Sequence, residues 1–178
     1  MNSPDSVLIS SSQLQQRIRD LAGEISRDYR DKNPVIMVLL KGSFYFAADL
    51  TRLLDFPLAL DFMAAGHGSS GALEVVRRPF NSIRDRHVLL IEDIIDSGLS
   101  LSFILTWLRE HQPASLQVCT LLDNPARRLV QLPVRYLGFT IPDRFVVGYG
   151  LDFREDFRHL PDIREYQMEP QSQKNGKS

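Results

Sequence analysis

The sequence predicts an α/β domain whose central, mostly parallel β-sheet is covered by helices on both faces. Continuous aliphatic runs at 35–40, 88–91 and 116–122 are typical of strands that are buried on both sides. Amphipathic segments separate these runs, each long enough for a helix of about ten residues, as in successive βα units. The length of 178 residues suits one domain with a sizeable core.

The order of the elements follows from changes in the apolar pattern. Serines at 10–12 offer N-caps for a first helix, which Asn33 and Pro34 end, and 35–40 is the first buried strand. A turn at 41–43 leads into a second helix with one apolar face, formed by Phe44, Ala47, Leu50 and Leu54. The remaining predicted elements are a strand at 58–65, a Gly/Ser loop at 66–71, a return strand at 72–76, a strand at 88–91, a helix with Leu101, Ile104, Leu105 and Leu108 on one face, and strands at 116–122, 134–139 and 145–147.

Composition and charge exclude several classes of protein. The 21 basic and 22 acidic residues give a formal net charge of −1, so nothing draws the whole molecule to nucleic acid or to an anionic membrane. No basic segment followed by an apolar one opens the sequence, and no aliphatic run could span a bilayer. We therefore expect a cytoplasmic protein without membrane or nucleic-acid partners, with one domain at 1–168 and a polar, disordered tail at 169–178.

The strand at 88–91 is followed by an acid-rich turn. Glu92, Asp93 and Asp96 lie within five residues, and carboxylates there are costly unless solvent, a cation or ligand hydroxyls contact them. Residues 97–100 add two hydroxyls, a glycine and the backbone N–H groups of a helix N-terminus, which together suit a phosphate monoester. Helix capping by Ser97 or Ser100 explains a serine but not the three acids.

Residues 88–100 resemble the signature of purine phosphoribosyltransferases of the type I fold, in which two acids, two aliphatic residues, Asp-Thr/Ser-Gly and a further hydroxyl follow a strand. The segments 38–43 and 141–152 resemble the hypoxanthine-guanine branch, and the resemblance covers 8–165. It implies the type I fold with a small hood region and a homodimer or homotetramer, for which the helix at 44–54 is a candidate interface. The implied activity is a step of purine salvage: the Mg²⁺-dependent transfer of phosphoribose from 5-phosphoribosyl 1-pyrophosphate to hypoxanthine or guanine, giving IMP or GMP and releasing pyrophosphate.

The resemblance also implies roles for individual residues. The acid/base group at purine N7 is Asp96. The 5′-phosphate and ribose are bound by Glu92, Asp93, Asp96, Ser97, Gly98, Leu99 and Ser100. Pyrophosphate is bound by Lys41, Gly42 and Arg158, and the peptide bond before the lysine is often cis in the family. The purine is bound by Asn124, Arg144, Phe145, Val146 and Asp152, and Mg²⁺ by Glu92, Asp93 and Asp152.

Simpler interpretations of some residues stay open at this point. Lys41 and Gly42 could form a plain turn, and Asp152 with Arg158 could form a surface ion pair. Arg127 and Arg128 are most simply solvated loop charges.

Two positions depart from the family pattern. The family's long loop after the strand at 58–65, with its Ser-Tyr pair, is shorter here and lacks tyrosine, although His67 lies in it. Asn124 stands where the family usually has a lysine that donates to the purine 6-oxo group, and an amide can donate or accept. Altered purine preference, or a nucleotide-sensing regulator on the same fold, are therefore the alternatives. Retention of Asp96 favours an enzyme.

Overall fold

The computed structural model describes Pro4 and residues 6–69 and 71–167. A six-stranded sheet with the order β4-β3-β2-β5-β6-β7 forms its centre, and only the edge strand β4 is antiparallel to its neighbour. The predicted α/β architecture is therefore confirmed. The elements are β1 (Val7–Ile9), α1 (Ser11–Tyr29), β2 (Val35–Leu39), α2 (Ser43–Thr51), β3 (Ala59–His67), β4 (Leu73–Arg77), β5 (His87–Ile95), α3 (Leu99–Glu110), β6 (Ser115–Asp123), β7 (Tyr136–Thr140), β8 (Val146–Val147) and β9 (Ile163–Glu165).

The sheet has one apolar core on each face. Ile36 and Val38 of β2 pack with α1 and α2, while Met37 of the same strand packs on the other face with α3. All five residues of β2 are buried, which explains its unbroken aliphatic run. The two cores leave the carboxyl ends of the parallel strands as the edge where a ligand can reach polar groups.

Helix α1 begins as its sequence predicts, whereas α2 differs in detail. Ser10 is the N-cap of α1 and forms a capping box with Gln13. The apolar face predicted for α2 was wrong at its two ends, because Phe44 is 49% exposed and Leu54 lies beyond the last helical residue. Phe46 replaces Phe44 on the buried face, since it lies one helical turn before Leu50.

A separate three-stranded sheet, in the order β1-β9-β8, forms the hood. The strand predicted at 145–147 is present as β8, but it belongs to this small sheet and not to the central one. Strands β1 and β9 have three residues each, too few for a recognisable sequence pattern. Among the residues that the structure describes, no helix is long and apolar enough to cross a membrane. The disordered tail expected at 169–178 lies outside the described residues.

Candidate active site

Two of the three acids that define the candidate site lie within a strand. The prediction that β5 ends at residue 91 was wrong, because the strand continues to Ile95 and includes Glu92 and Asp93. Pairing with β6 holds this part extended, with Glu92 opposite Thr120 and Ile95 opposite Asp123. The aliphatic run marks only the buried portion of the strand. The acid-rich turn is consequently reduced to residues 96–98.

The two strand carboxylates are sheltered and adjacent. Burial, together with the charge of Asp93, raises the pKa of Glu92 well above its ordinary value, although the Ser43 hydroxyl lies 3.3 Å from its Oε2 and opposes the shift. Burial raises the pKa of Asp93 to about 6, although the hydrogen bond that its carboxylate accepts from the Ile94 N–H lowers the pKa. A cation bound beside these two groups would relieve both costs.

The turn after β5 exposes backbone donors at the start of α3. Gly98 has a φ of 80°, a left-handed conformation that favours glycine, and α3 begins at the next residue. The Ser97 hydroxyl accepts a weak hydrogen bond from the Leu99 N–H at 3.3 Å. Ser100 follows in the first turn of the helix. The turn therefore has the backbone N–H groups and hydroxyls that the resemblance assigns to the 5′-phosphate.

Asp96 lies in this turn with one carboxylate oxygen uncommitted. Its Oδ1 is shielded from solvent and has no hydrogen-bond partner within the described residues. Its Oδ2 lies 3.8 Å from Nη1 of Arg127, and Nε of the same arginine contacts Asp143 at 2.5 Å. The interpretation of Arg127 and Arg128 as solvated loop charges was wrong, because Arg128 is paired with Asp123 and its side chain is only 11% exposed.

A tight turn after β2 packs against the acids. The peptide bond between Leu40 and Lys41 is cis, as the resemblance implies. Gly42 lies directly against the Asp93 carboxylate, and a Cβ at this position would overlap that group. A cavity of about 210 Å³ joins this turn to β5, α3 and the β3–β4 hairpin, and its polar lining residues are Lys41, Glu92, Asp93, Ser100 and His67.

The charged residues expected on the pyrophosphate side pair with one another. Arg158 contacts Asp152 at 2.8 Å and donates to the Gly150 carbonyl at 2.7 Å. The ion pair between Asp152 and Arg158, which the sequence left as one of two interpretations, is therefore present. Glu155 lies 3.3 Å from the same guanidinium and 3.0 Å from Nζ of Lys41. Glu155 was not singled out from the sequence.

The expected purine ligands lie on the segments that follow β6 and surround β8. Phe145 makes edge-to-face contacts with Phe153 and Tyr166, at ring-centroid distances of 5.8 and 6.2 Å. Asn124 is fully buried, and neither atom of its side-chain amide has a partner among the described residues. The side chain of Arg144 pairs with Glu165 at 3.1 Å.

The carboxylates expected to bind Mg²⁺ do not form a compact metal site by themselves. Nowhere in the described part of the chain are three His, Cys, Asp or Glu side chains grouped so that they could hold a metal ion. Glu92 and Asp93 are adjacent, but Asp152 is paired with Arg158. Mg²⁺ is commonly held by one or two carboxylates together with substrate phosphates, and the two strand acids suit that arrangement.

Comparison with known proteins assigns the chain to a family. A family model described as "Phosphoribosyl transferase domain" matches residues 10–154. The hypoxanthine phosphoribosyltransferase of Salmonella typhimurium is 43% identical over 162 residues, which are 87% of this chain and 91% of the relative. The hypoxanthine-guanine phosphoribosyltransferase of Bacillus subtilis is 40% identical over 164 residues, covering 89% and 91% of the two chains.

A fused relative and a solved structure agree with this assignment. The bifunctional protein TilS/HprT of Listeria monocytogenes is 42% identical over 167 residues, but this chain spans only 26% of its length. A crystal structure of a hypoxanthine-guanine phosphoribosyltransferase from Bacillus anthracis has a TM-score of 0.88 and 40% identity, covering 93% of this chain and all of that one. The chain therefore belongs to the phosphoribosyltransferase family, within its hypoxanthine-guanine branch.

Proposed function

We propose that the protein transfers the 5-phosphoribosyl group from 5-phosphoribosyl 1-pyrophosphate to hypoxanthine or guanine, a purine-salvage reaction that yields IMP or GMP and pyrophosphate. The observation that carries the proposal is the single cavity in which the Lys41-Gly42 turn, the Glu92-Asp93 pair and Ser100 meet. The names of the matched relatives support the choice of base.

Asp96 is the proton acceptor in this proposal. As the purine nitrogen bonds to C1′ and the bond from C1′ to pyrophosphate breaks, the proton on N7 must leave the base. Oδ1 of Asp96 is the oxygen available to take it, because it has no other partner in the described structure. Nη1 of Arg127 lies 3.8 Å from the other oxygen, Oδ2, and so leaves Oδ1 to the base.

The phosphate-bearing ends of the substrate are assigned to the turns that follow two neighbouring strands, β5 and β2. The 5′-phosphate binds the backbone and hydroxyls of Ser97, Gly98, Leu99 and Ser100 at the start of α3. The pyrophosphate binds Lys41, the Gly42 backbone and Arg158. Because Gly42 contacts Asp93 directly, the turn fixes the pyrophosphate side relative to the carboxylates that bind ribose.

Mg²⁺ is the proposed cofactor. Glu92 and Asp93 would hold it together with substrate oxygens, and Asp152 would be a third carboxylate ligand. Bound there, the ion offsets negative charge on the leaving group. The position of the two acids supports the assignment, because Glu92 and Asp93 are adjacent on β5 and both line the cavity that the Lys41-Gly42 turn also lines.

The purine is assigned to the pocket between β8 and the segment after β6. Phe145 stacks on the ring and the Val146 backbone contacts its edge, while Arg144 and Asp152 complete the pocket. The Asn124 amide contacts the 6-substituent, since it is buried and unpaired in the described structure. By presenting its N–H group, this amide selects a 6-oxo oxygen.

The test of this proposal is pyrophosphate release with Mg²⁺ and 5-phosphoribosyl 1-pyrophosphate, with hypoxanthine, guanine, xanthine and adenine supplied separately. Turnover with hypoxanthine and guanine is the expected result. Turnover with adenine alone would contradict the assigned base and indicate that the Asn124 amide is oriented to accept. Turnover with xanthine alone would contradict the assigned base but not the 6-oxo contact, because xanthine has the same 6-oxo oxygen. Binding of nucleotide without turnover of any base would contradict transfer and support a sensor.

We also propose assembly into a homodimer or homotetramer through the exposed side of α2. Phe44 and Tyr45 are 49% and 39% exposed there and contact each other edge to face, with ring centroids 5.7 Å apart. Light scattering should give an oligomer for the wild type and a smaller species for Phe44→Ser. A monomeric wild type would contradict this assembly.

A further inference from the structure

His67 lies at the end of a strand and not in an open loop. The sequence predicted a loop at 66–71, but β3 continues through His67, which pairs with Leu73 of β4. The Gly68 N–H donates to the Ala72 carbonyl at 2.9 Å and closes a short turn. The His67 backbone is therefore held in a hydrogen-bonded ladder at the end of β3.

His67 lines the cavity of the candidate active site, and the residue is exposed to solvent. Ala65 and Gly66, which precede it on β3, line the same cavity of about 210 Å³. Leu73, opposite His67, lines it as well. The neighbouring Glu74 carboxylate lies against Gly68 instead and is not part of the cavity wall.

The imidazole is the uncommitted nitrogen donor among the described residues that line this cavity. Lys41 and His67 are the two lining residues with nitrogen-bearing side chains, and Lys41 is already paired with Glu155 at 3.0 Å. The imidazole makes no hydrogen bond or ion pair within the described residues. A bound phosphate group would therefore meet a side-chain donor that has no competing partner.

The strand order indicates which phosphate this donor reaches. β3 is next to β2, whose following turn carries Lys41, and the Leu40 N–H donates to the Met63 carbonyl at 2.8 Å. The turn assigned to the 5′-phosphate follows β5, on the far side of β2 from β3. We propose that His67 donates a hydrogen bond to the pyrophosphate group. This inference rests on the proposed function.

The test is the affinity for Mg²⁺-pyrophosphate, measured calorimetrically and separately from turnover. His67→Phe keeps a ring without a donor, His67→Gln keeps a donor, and Val76→Ala alters the opposite face of the same hairpin, where the side chain is 57% exposed. We expect His67→Phe to weaken pyrophosphate binding about tenfold, and His67→Gln by less than about threefold. Val76→Ala should bind as the wild type does, and all variants should bind GMP equally well.

Three results would overturn the inference, and they are distinguishable from one another. If the wild type transfers phosphoribose and His67→Phe binds pyrophosphate as tightly as it does, His67 is not a ligand although the proposed function stands. If the wild type neither binds pyrophosphate nor transfers phosphoribose, the proposed function fails together with this assignment. Equal loss of GMP binding in His67→Phe would place the contact at the 5′-phosphate and contradict the pyrophosphate assignment.

Discussion

Among the described residues, Glu155 is the single residue that links the two cations proposed to bind pyrophosphate. Its carboxylate contacts both cations assigned to pyrophosphate, Lys41 at 3.0 Å and Arg158 at 3.3 Å. The hydrogen bond from Lys41, aided by the charge of Arg158, lowers the pKa of Glu155, so it is charged at neutral pH. An incoming pyrophosphate must displace a carboxylate from the groups that would bind it. Because the pair is exposed, this competition costs little.

Glu155→Gln removes the competing charge and is expected to tighten pyrophosphate binding about two- to fivefold at low salt. The gain should shrink as salt screens the pair. Calorimetry at two ionic strengths measures both effects, with Arg154→Gln as a control for a charge change at the neighbouring exposed position. Weaker binding in Glu155→Gln would mean that Glu155 holds the two cations in place for the ligand.

At Asn124, one substitution should affect stability and activity differently. A buried amide without partners destabilises the free protein, and an apolar side chain of similar shape removes that cost. We therefore expect Asn124→Leu to leave the free energy of unfolding equal or higher, while kcat/KM for hypoxanthine falls at least about tenfold. Urea unfolding and steady-state kinetics give the two quantities. Unchanged kcat/KM would remove Asn124 from the purine site.

At the scale of elements, Asp61 anchors the segment that connects the β3–β4 hairpin to β5. The carboxylate is only 3% exposed and accepts hydrogen bonds from the Phe62, Phe80 and Asn81 N–H groups and from the Asn81 side chain. Burial raises the pKa of Asp61, but these donors outweigh it and the net shift is downward. The strand that carries His67 is thereby fixed at its other end.

The lowered pKa of Asp61 makes its contribution to stability pH-dependent. The folded-state pKa is below the unfolded value of about 4, so the contribution is complete above that value and is lost as pH falls through the folded pKa. Asp61→Asn should lower the free energy of unfolding by about 1–3 kcal/mol at neutral pH. Urea unfolding should show a smaller difference between wild type and variant in acid. A constant difference would contradict the charged anchor.

At the scale of the whole molecule, the central sheet and the turn between β5 and α3 were predictable from local patterns. Unbroken aliphatic runs identified β2 and β6, and the signature at 88–100 located Asp96 and the start of α3. The hood strand β9 was not predictable because three residues carry no periodicity. The contact of Lys41 with Glu155 was not predictable either, since it joins positions 114 residues apart.

The remaining differences have the same origin. The extension of β5 through Glu92 and Asp93 depends on pairing with β6, which is decided far along the chain. The sequence around Arg128 is typical of an exposed loop. Its nearly buried ion pair with Asp123 forms only when β6 and the segment after it are in place. Local sequence therefore identified the candidate site residues, while tertiary contacts determined how they are held.

The central claim is that the turn after β5 is the catalytic centre of a phosphoribosyltransferase. The most direct test is single-turnover formation of IMP from hypoxanthine and 5-phosphoribosyl 1-pyrophosphate by the wild type and by Asp96→Asn. We predict IMP formation by the wild type, and a rate about 10²- to 10⁴-fold lower in the variant with nearly unchanged binding of 5-phosphoribosyl 1-pyrophosphate. No IMP from the wild type, or equal losses of rate and binding in the variant, would contradict the account.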